Sequence, residues 1–228
     1  MARLRRFPLA VVLLTAVTAL AAVGCATTGT GSSDGPDAAD YAAAAVGNAW
    51  TYRVTPGPDE PQTVRMVSRD DRGFYVDDRG GRLAPRSDGL FDGTRFLLKE
   101  PLTAGATWIA VTPGPRPGVP GPTENYRIVA TGLEVTVPAG TFANCVEVEA
   151  TTATRDPNSG KAATLVMSWV WAPKTGMIRL QQSVRFADNS PSLPTATMEL
   201  VSFTPASTPA STTTSTTTAT VPATPAAP

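Results

Sequence analysis

The residue types that could do chemistry in this chain are few, and the most telling one is missing: its 228 residues include no histidine. That removes the commonest general base, the commonest metal ligand and any Ser-His-Asp arrangement together. Glu147 and Glu149 stand two residues apart, on one strand face with Cys145. Paired carboxylates can flank a glycosidic bond, but nothing else supports that reaction, and a solvated face is the expectation. Cys145 has no histidine to lower its pKa, so it reads as a small packed residue and not as a nucleophile. The pairs Asp70-Asp71 and Asp77-Asp78 lack the spaced D-x-D-x-D-G pattern of a calcium loop and sit where turns need Asp. No G-x-S-x-G, phosphate-loop or dinucleotide motif occurs. The expectation is no catalytic set, no metal site and no cofactor.

Apolar binding is the remaining chemistry. Leu165, Met167, Trp169 and Trp171 recur at period two and line one side of a strand, while Val166 and Val170 face the other way. Apolar residues on both faces require that both be covered, by the chain itself or by something outside it. A central core strand is one reading; a groove for an acyl chain or other apolar ligand, with Trp50 also contributing, is the other.

These residues need strands to position them, and the sequence supplies strands almost throughout. The segment 133–149 (LEVTVPAGTFANCVEVE) predicts a hairpin, with Pro138 suited to the second position of a type I turn and Gly140 to the fourth. Trp50, Tyr52 and Val54 alternate with Thr51 and Arg53. Further strands are predicted at 62–69, 74–76, 90–91, 95–99, 108–111, 126–131, 164–172, 177–186 and 196–203, with Asp, Gly, Pro and Asn clusters between them. Five prolines and three glycines in 112–123 predict a stiff surface loop, either a hairpin insertion or a lid. Residues 37–46 fit a short helix or an extended lead-in equally. The fold class is therefore mainly β: an antiparallel meander of about ten strands, forming a curved sheet or half-open barrel with little helix.

The ends differ from this middle. Arg3, Arg5 and Arg6 precede a stretch, 7–23, that is apolar apart from Thr15 and Thr18, with small residues leading to Gly24-Cys25. This is an export-signal pattern. Seventeen residues are at the short limit for a membrane span, so an uncleaved anchor fits less well. The expected organisation is a signal at 1–24, a tether at 25–45, a β-domain at 46–204, and a disordered Thr/Pro/Ala/Ser tail at 205–228. Without its signal the chain carries 16 basic against 19 acidic residues, a net of −3 that argues against a nucleic-acid partner.

Ala22-Val23-Gly24-Cys25 resembles the lipobox of bacterial lipoproteins, with Ala22 where that family prefers Leu. The resemblance implies cleavage before Cys25 and diacylation of its sulfur. Two chains anchor a protein stably where one is marginal. In proteobacterial members an Asp after the cysteine signals inner-membrane retention; Ala26 here favours the outer membrane, facing the periplasm, over the plasma membrane or cell surface. Val46-Gly47-Asn48-Ala49-Trp50-Thr51-Tyr52 resembles the V-G-N-x-W-x-Y opening of a group of bacterial envelope lipoproteins of unknown function. Val137-Pro138-Ala139-Gly140-Thr141-Phe142 resembles the V-P-A-G-T-F turn of the same group, and the segment from Trp171-Ala172-Pro173 to Gly176-Met177-Ile178 is similar to its closing A-P-x-x-G segment. The group is similar to half-open β-barrel lipoprotein carriers, whose sheets hold acyl chains.

The functional expectation is a lipid-anchored envelope protein, non-catalytic, acting as a structural or interaction module. The alternative is a carrier or binder of an acyl chain or other apolar ligand on a curved sheet. A hydrolase without histidine comes last. Expected partners are the membrane, through acylated Cys25, and an apolar ligand or envelope protein.

Overall fold

The structure is a computed structural model that describes residues 36–114, 116, 118–156, 160–187 and 193–207. The signal, Cys25, most of the tether, parts of two predicted turns and the tail beyond 207 lie outside the described residues.

Twelve strands follow one another: β1 (Ala49–Thr55), β2 (Gln62–Arg69), β3 (Tyr75–Asp77), β4 (Arg82–Arg86), β5 (Gly89–Phe91), β6 (Phe96–Lys99), β7 (Thr107–Pro113), β8 (Pro120–Val137), β9 (Gly140–Arg155), β10 (Ala162–Ala172), β11 (Gly176–Phe186) and β12 (Leu193–Thr204). The sheet order is β6-β5-β4-β3-β2-β1-β12-β11-β10-β9-β8-β7, with every ladder antiparallel. Each strand pairs with its chain neighbours, and β12 returns to pair with β1 along Ala49↔Thr204 to Thr55↔Thr197. Among the described residues only the β6–β7 ladder is missing, so the meander is one pairing short of a closed ring. Side chains span that seam. Trp108 Nε1 on β7 donates to the Phe96 carbonyl on β6 at 3.0 Å, and the Arg95 guanidinium beside β6 meets Glu124 of β8 at 2.6 Å.

The fold has twelve strands where about ten were expected. The predicted stretches 126–131 and 133–137 join into the single β8, and β4 has no predicted counterpart; it contains Arg82, Pro85 and Arg86, a composition that hides a strand, and Pro85 is tolerated because the ladders here are only two or three pairs long. The Pro-rich stretch is also shorter as a loop than expected. Strands run to Pro113 and resume at Pro120, which pair with each other, while Gly114 N–H donates to the Val119 carbonyl at 3.0 Å. The prolines fit because β7 is an edge strand and β8 pairs with β9 only from Glu124 onward.

Both faces of β10 are buried by the chain itself. Trp169 and Trp171 face an inner cluster with Ile128, Val146, Val148 and Tyr126. Val170 and Ala172 belong to a second cluster with Val135, Val137, Cys145, Ile178 and Leu200, which also takes in Trp50, Tyr52 and Met66. Part of this second cover is the far end of the β8–β9 hairpin. Its register slips three times between Ile128 and Val135, where Gly132 takes a φ of 68°. Such irregularities bend a strand pair, and the tip docks by an Ala139 N–H to Leu200 carbonyl bond of 3.0 Å. The turn is Pro138-Ala139, closed by the Val137↔Gly140 pair.

Residues 37–42 form neither an α-helix nor an extended lead-in. Three successive i→i−3 turn bonds run from Asp40, Tyr41 and Ala42, and Asp37 Oδ1 caps them by accepting from the Ala39 and Asp40 N–H groups. This stretch, expected within the tether, is packed: Ala38, Tyr41 and Ala42 are buried in the inner cluster. Tyr41 donates to the Asn144 carbonyl at 2.8 Å, Ala38 N–H to Glu100 at 2.7 Å, and Lys174 N–H to the Asp40 carbonyl at 2.7 Å.

Candidate functional site

The inner face of the ring is filled on one side and open on the other. Trp108, Tyr126 and Trp169 stack in series, with ring centroids 5.1 and 6.0 Å apart and planes 12° and 16° from parallel. This aromatic stack occupies the lumen beside β7–β10. Towards β1–β4 a cavity of about 360 Å³ remains. Its walls come from distant parts of the chain: Trp50 and Tyr52 on β1, Val64 and Met66 on β2, and Trp171 with Met177 across the β10–β11 turn. Ala42 of the packed N-terminal stretch lines it as well. The volume lies within the range of small-molecule sites, and the lining is predominantly apolar, as such sites require.

Three of the five expected binding residues meet there: Trp50, Trp169 and Trp171. Leu165 and Met167 do not. They lie further along β10, and at ~3.3 Å per residue Leu165 is about 13 Å from Trp169. Met167 packs beside the inner cluster, and both side chains are half-buried. The sequence reading missed Tyr52, Val64, Met66, Arg79 and Leu83 as wall residues. The period-two run Gln62, Val64, Met66 was a signal for part of this set, and all three line the cavity.

The motif residues act as ties that reach over β12. Trp50 Nε1 donates to the Thr175 carbonyl at 2.6 Å, and the Tyr52 hydroxyl donates to the Met177 carbonyl at 2.8 Å. Burial pushes the Tyr52 phenol well above its ordinary pKa, so it stays a donor. Gly176 lies at φ 91°, and a Cβ there would approach Trp50 Nε1 to 3.5 Å. Asn48 donates to the Ala43 carbonyl and accepts from Ala206 N–H at 2.6 Å. Trp50 and Tyr52 thus hold β1 to the β10–β11 turn, and Asn48 holds the segments on either side of the domain. Trp171 is different: its indole N–H is buried without an acceptor among the described residues, an arrangement that costs about 1–3 kcal/mol.

The carboxylates found in the sequence have structural partners. Ser168 donates to Glu147 at 2.7 Å, and Arg185 reaches Glu149 at 2.8 Å. Asp70 accepts from the Arg72 and Phe74 N–H groups, and Asp77 from those of Arg79 and Gly81. Cys145 is fully buried, and burial pushes its thiol up to about 11. Burial likewise raises Tyr41 to about 12, with Cys145, Asp40 and Glu100 adding to the effect. At pH 8 only roughly one thiol in a thousand would be ionised. In a Cys25→Ser chain, a disulfide reagent at that pH is expected to find no reactive thiol until denaturant is added, and then one per chain. Both groups must also stay protonated in the fold. Their contribution to stability is full below the ordinary values of 9.0 and 10.0 and is lost as pH rises through about 11 and 12.

The fold and cavity define a class: a single antiparallel meander nearly closed on an apolar lumen. No family model matches the chain, and no curated protein matches it. Among solved structures, a presumed lipoprotein from Parabacteroides distasonis is similar at 15% identity and a TM-score of 0.37, covering 74% of this chain and 100% of that one. A presumed exported protein with YmcC-like fold from Bacteroides fragilis is similar at 14% identity and the same TM-score, covering 70% of this chain and 96% of that one. Likenesses of this size identify neither a family nor a function.

Proposed function

We propose that this chain is a lipid-anchored protein of the bacterial cell envelope, without catalytic activity, that holds an apolar ligand in the lumen of its β-meander. The observation that carries the binding role is the apolar cavity itself, walled by strands more than 100 residues apart in sequence and left open where the aromatic stack ends. A sheet built only as a scaffold would gain from filling that space, since protein interiors pack as densely as organic crystals. The acceptor-free indole N–H of the wall residue Trp171 adds to this reading. The anchoring role is supported by the export-signal pattern ending at Gly24-Cys25, with the cysteine as the acylation site. Ala26 favours the outer membrane, facing the periplasm.

The lumen binder supersedes the purely structural module because it uses the cavity. The module remains the second reading, favoured by the near-complete use of motif residues as ties. Fractionation separates the parts of the proposal. The wild-type chain is expected in the membrane fraction, and a chain in which a conventional cleavable export signal replaces residues 1–25 in the soluble one, with an extractable apolar compound accompanying both. Equal solubility of the two chains would remove the anchor; ligand-free extracts from both would return the protein to the structural reading.

A further inference from the structure

We propose that the ligand is a single-chain amphiphile with an anionic head, carboxylate or phosphate, held at the cavity by Arg79. This rests on the lumen-binding reading and adds the head-group chemistry. Three charged side chains line the predominantly apolar cavity: Asp77, Arg79 and Arg82. Two of them are already engaged. Asp77 is turned into its own loop, where Oδ1 accepts from the Arg79 and Gly81 N–H groups at 2.9 and 2.7 Å. Arg82 pairs with Asp70 and lies over the Phe74 ring, 4.3 Å from its centroid.

Arg79 is the exception. Its guanidinium reaches from the β3–β4 turn across to β2, where it donates to Gln62 Oε1 and to the Thr63 carbonyl, both at 3.0 Å. Both acceptors are neutral, so among the described residues no carboxylate answers its charge. The two bonds fix the planar group in place and use two of its five N–H donors, leaving three for an incoming anion. Gln62 and Val64 of the same strand also line the cavity, so the charge stands where apolar wall meets water. A cavity of about 360 Å³ suits one alkyl chain better than a two-chain lipid.

The test uses the chain lacking residues 1–25, titrated with dodecanoate and dodecyl phosphate below their micellar concentrations and with dodecanol below its solubility limit. Fluorescence of Trp50, Trp169 and Trp171 in the wall reports binding. At least one anion is expected to bind about tenfold more tightly than dodecanol, with the preference shrinking as salt is added; whichever anion is preferred identifies the head. Arg79→Gln should bring the anions level with dodecanol. Dodecanol binding as tightly as both anions, or an anion preference that survives Arg79→Gln, would overturn the head-group assignment while sparing the lumen. Failure of all three probes to bind would overturn both.

Discussion

Replacing Trp50 by alanine is expected to destabilise the fold by about 3–5 kcal/mol, the cost of removing a large aromatic from a core. For a domain of this size that lowers Tm by roughly 10 °C. Trp50 is buried, stacks on Phe203 with centroids 5.5 Å apart, and donates to the Thr175 carbonyl in the β10–β11 turn. The substitution removes the stack, empties part of the cavity wall and leaves a carbonyl without its donor. Trp50→Phe separates these effects. It keeps most of the packing and loses only the N–H, so about 1–3 kcal/mol is expected. Thermal unfolding of both variants measures the difference. If Trp50→Phe were as damaging as Trp50→Ala, the tie to Thr175 would outweigh the packing; if neither moved Tm, the role given to the V-G-N-x-W-x-Y segment would be wrong.

Val64→Trp should abolish ligand uptake, lowering affinity at least hundredfold, while Tm moves by only a few degrees. Val64 lies opposite Trp50 in the β1–β2 ladder and lines the cavity, yet it is only half-buried and outside both buried clusters. A tryptophan there can turn into the lumen and occupy it. Overpacking a full core costs about 1–3 kcal/mol, but here the space is open. The variant therefore separates binding from folding, which Trp169→Ala or Trp171→Ala would not. Isothermal titration with the wild-type ligand checks it, and undiminished binding would place the ligand outside the lumen.

Much of the framework was legible in the sequence because it is local. The alternation in 49–55 and 164–172, the Pro138 and Gly140 turn and the Asp-bearing turns around Asp70 and Asp77 all follow from side-chain periodicity and turn chemistry. The two-faced apolar strand correctly required two covers. What could not be read was where the second cover comes from: the tip of the β8–β9 hairpin reaches Val170 and Leu200 only because irregular pairing near Gly132 bends it. The binding wall was half legible for the same reason. Trp50, Trp169 and Trp171 announce themselves by type, but their partners Val64, Met66 and Leu83 become wall residues only once β12 returns to pair with β1. Arg79 looked like an ordinary turn residue, and its significance depends on what its guanidinium fails to meet. The strand β4 was hidden by proline and arginine, and residues 37–42 by a composition that suited helix and tether alike.

The central claim is that the lumen holds a ligand, and native mass spectrometry of the chain purified from its own membrane tests it most directly. The account predicts a one-to-one adduct that survives gentle ionisation, is released by solvent extraction and is absent from Val64→Trp. A protein mass without adduct, unchanged when single-chain amphiphiles are titrated in, would contradict it.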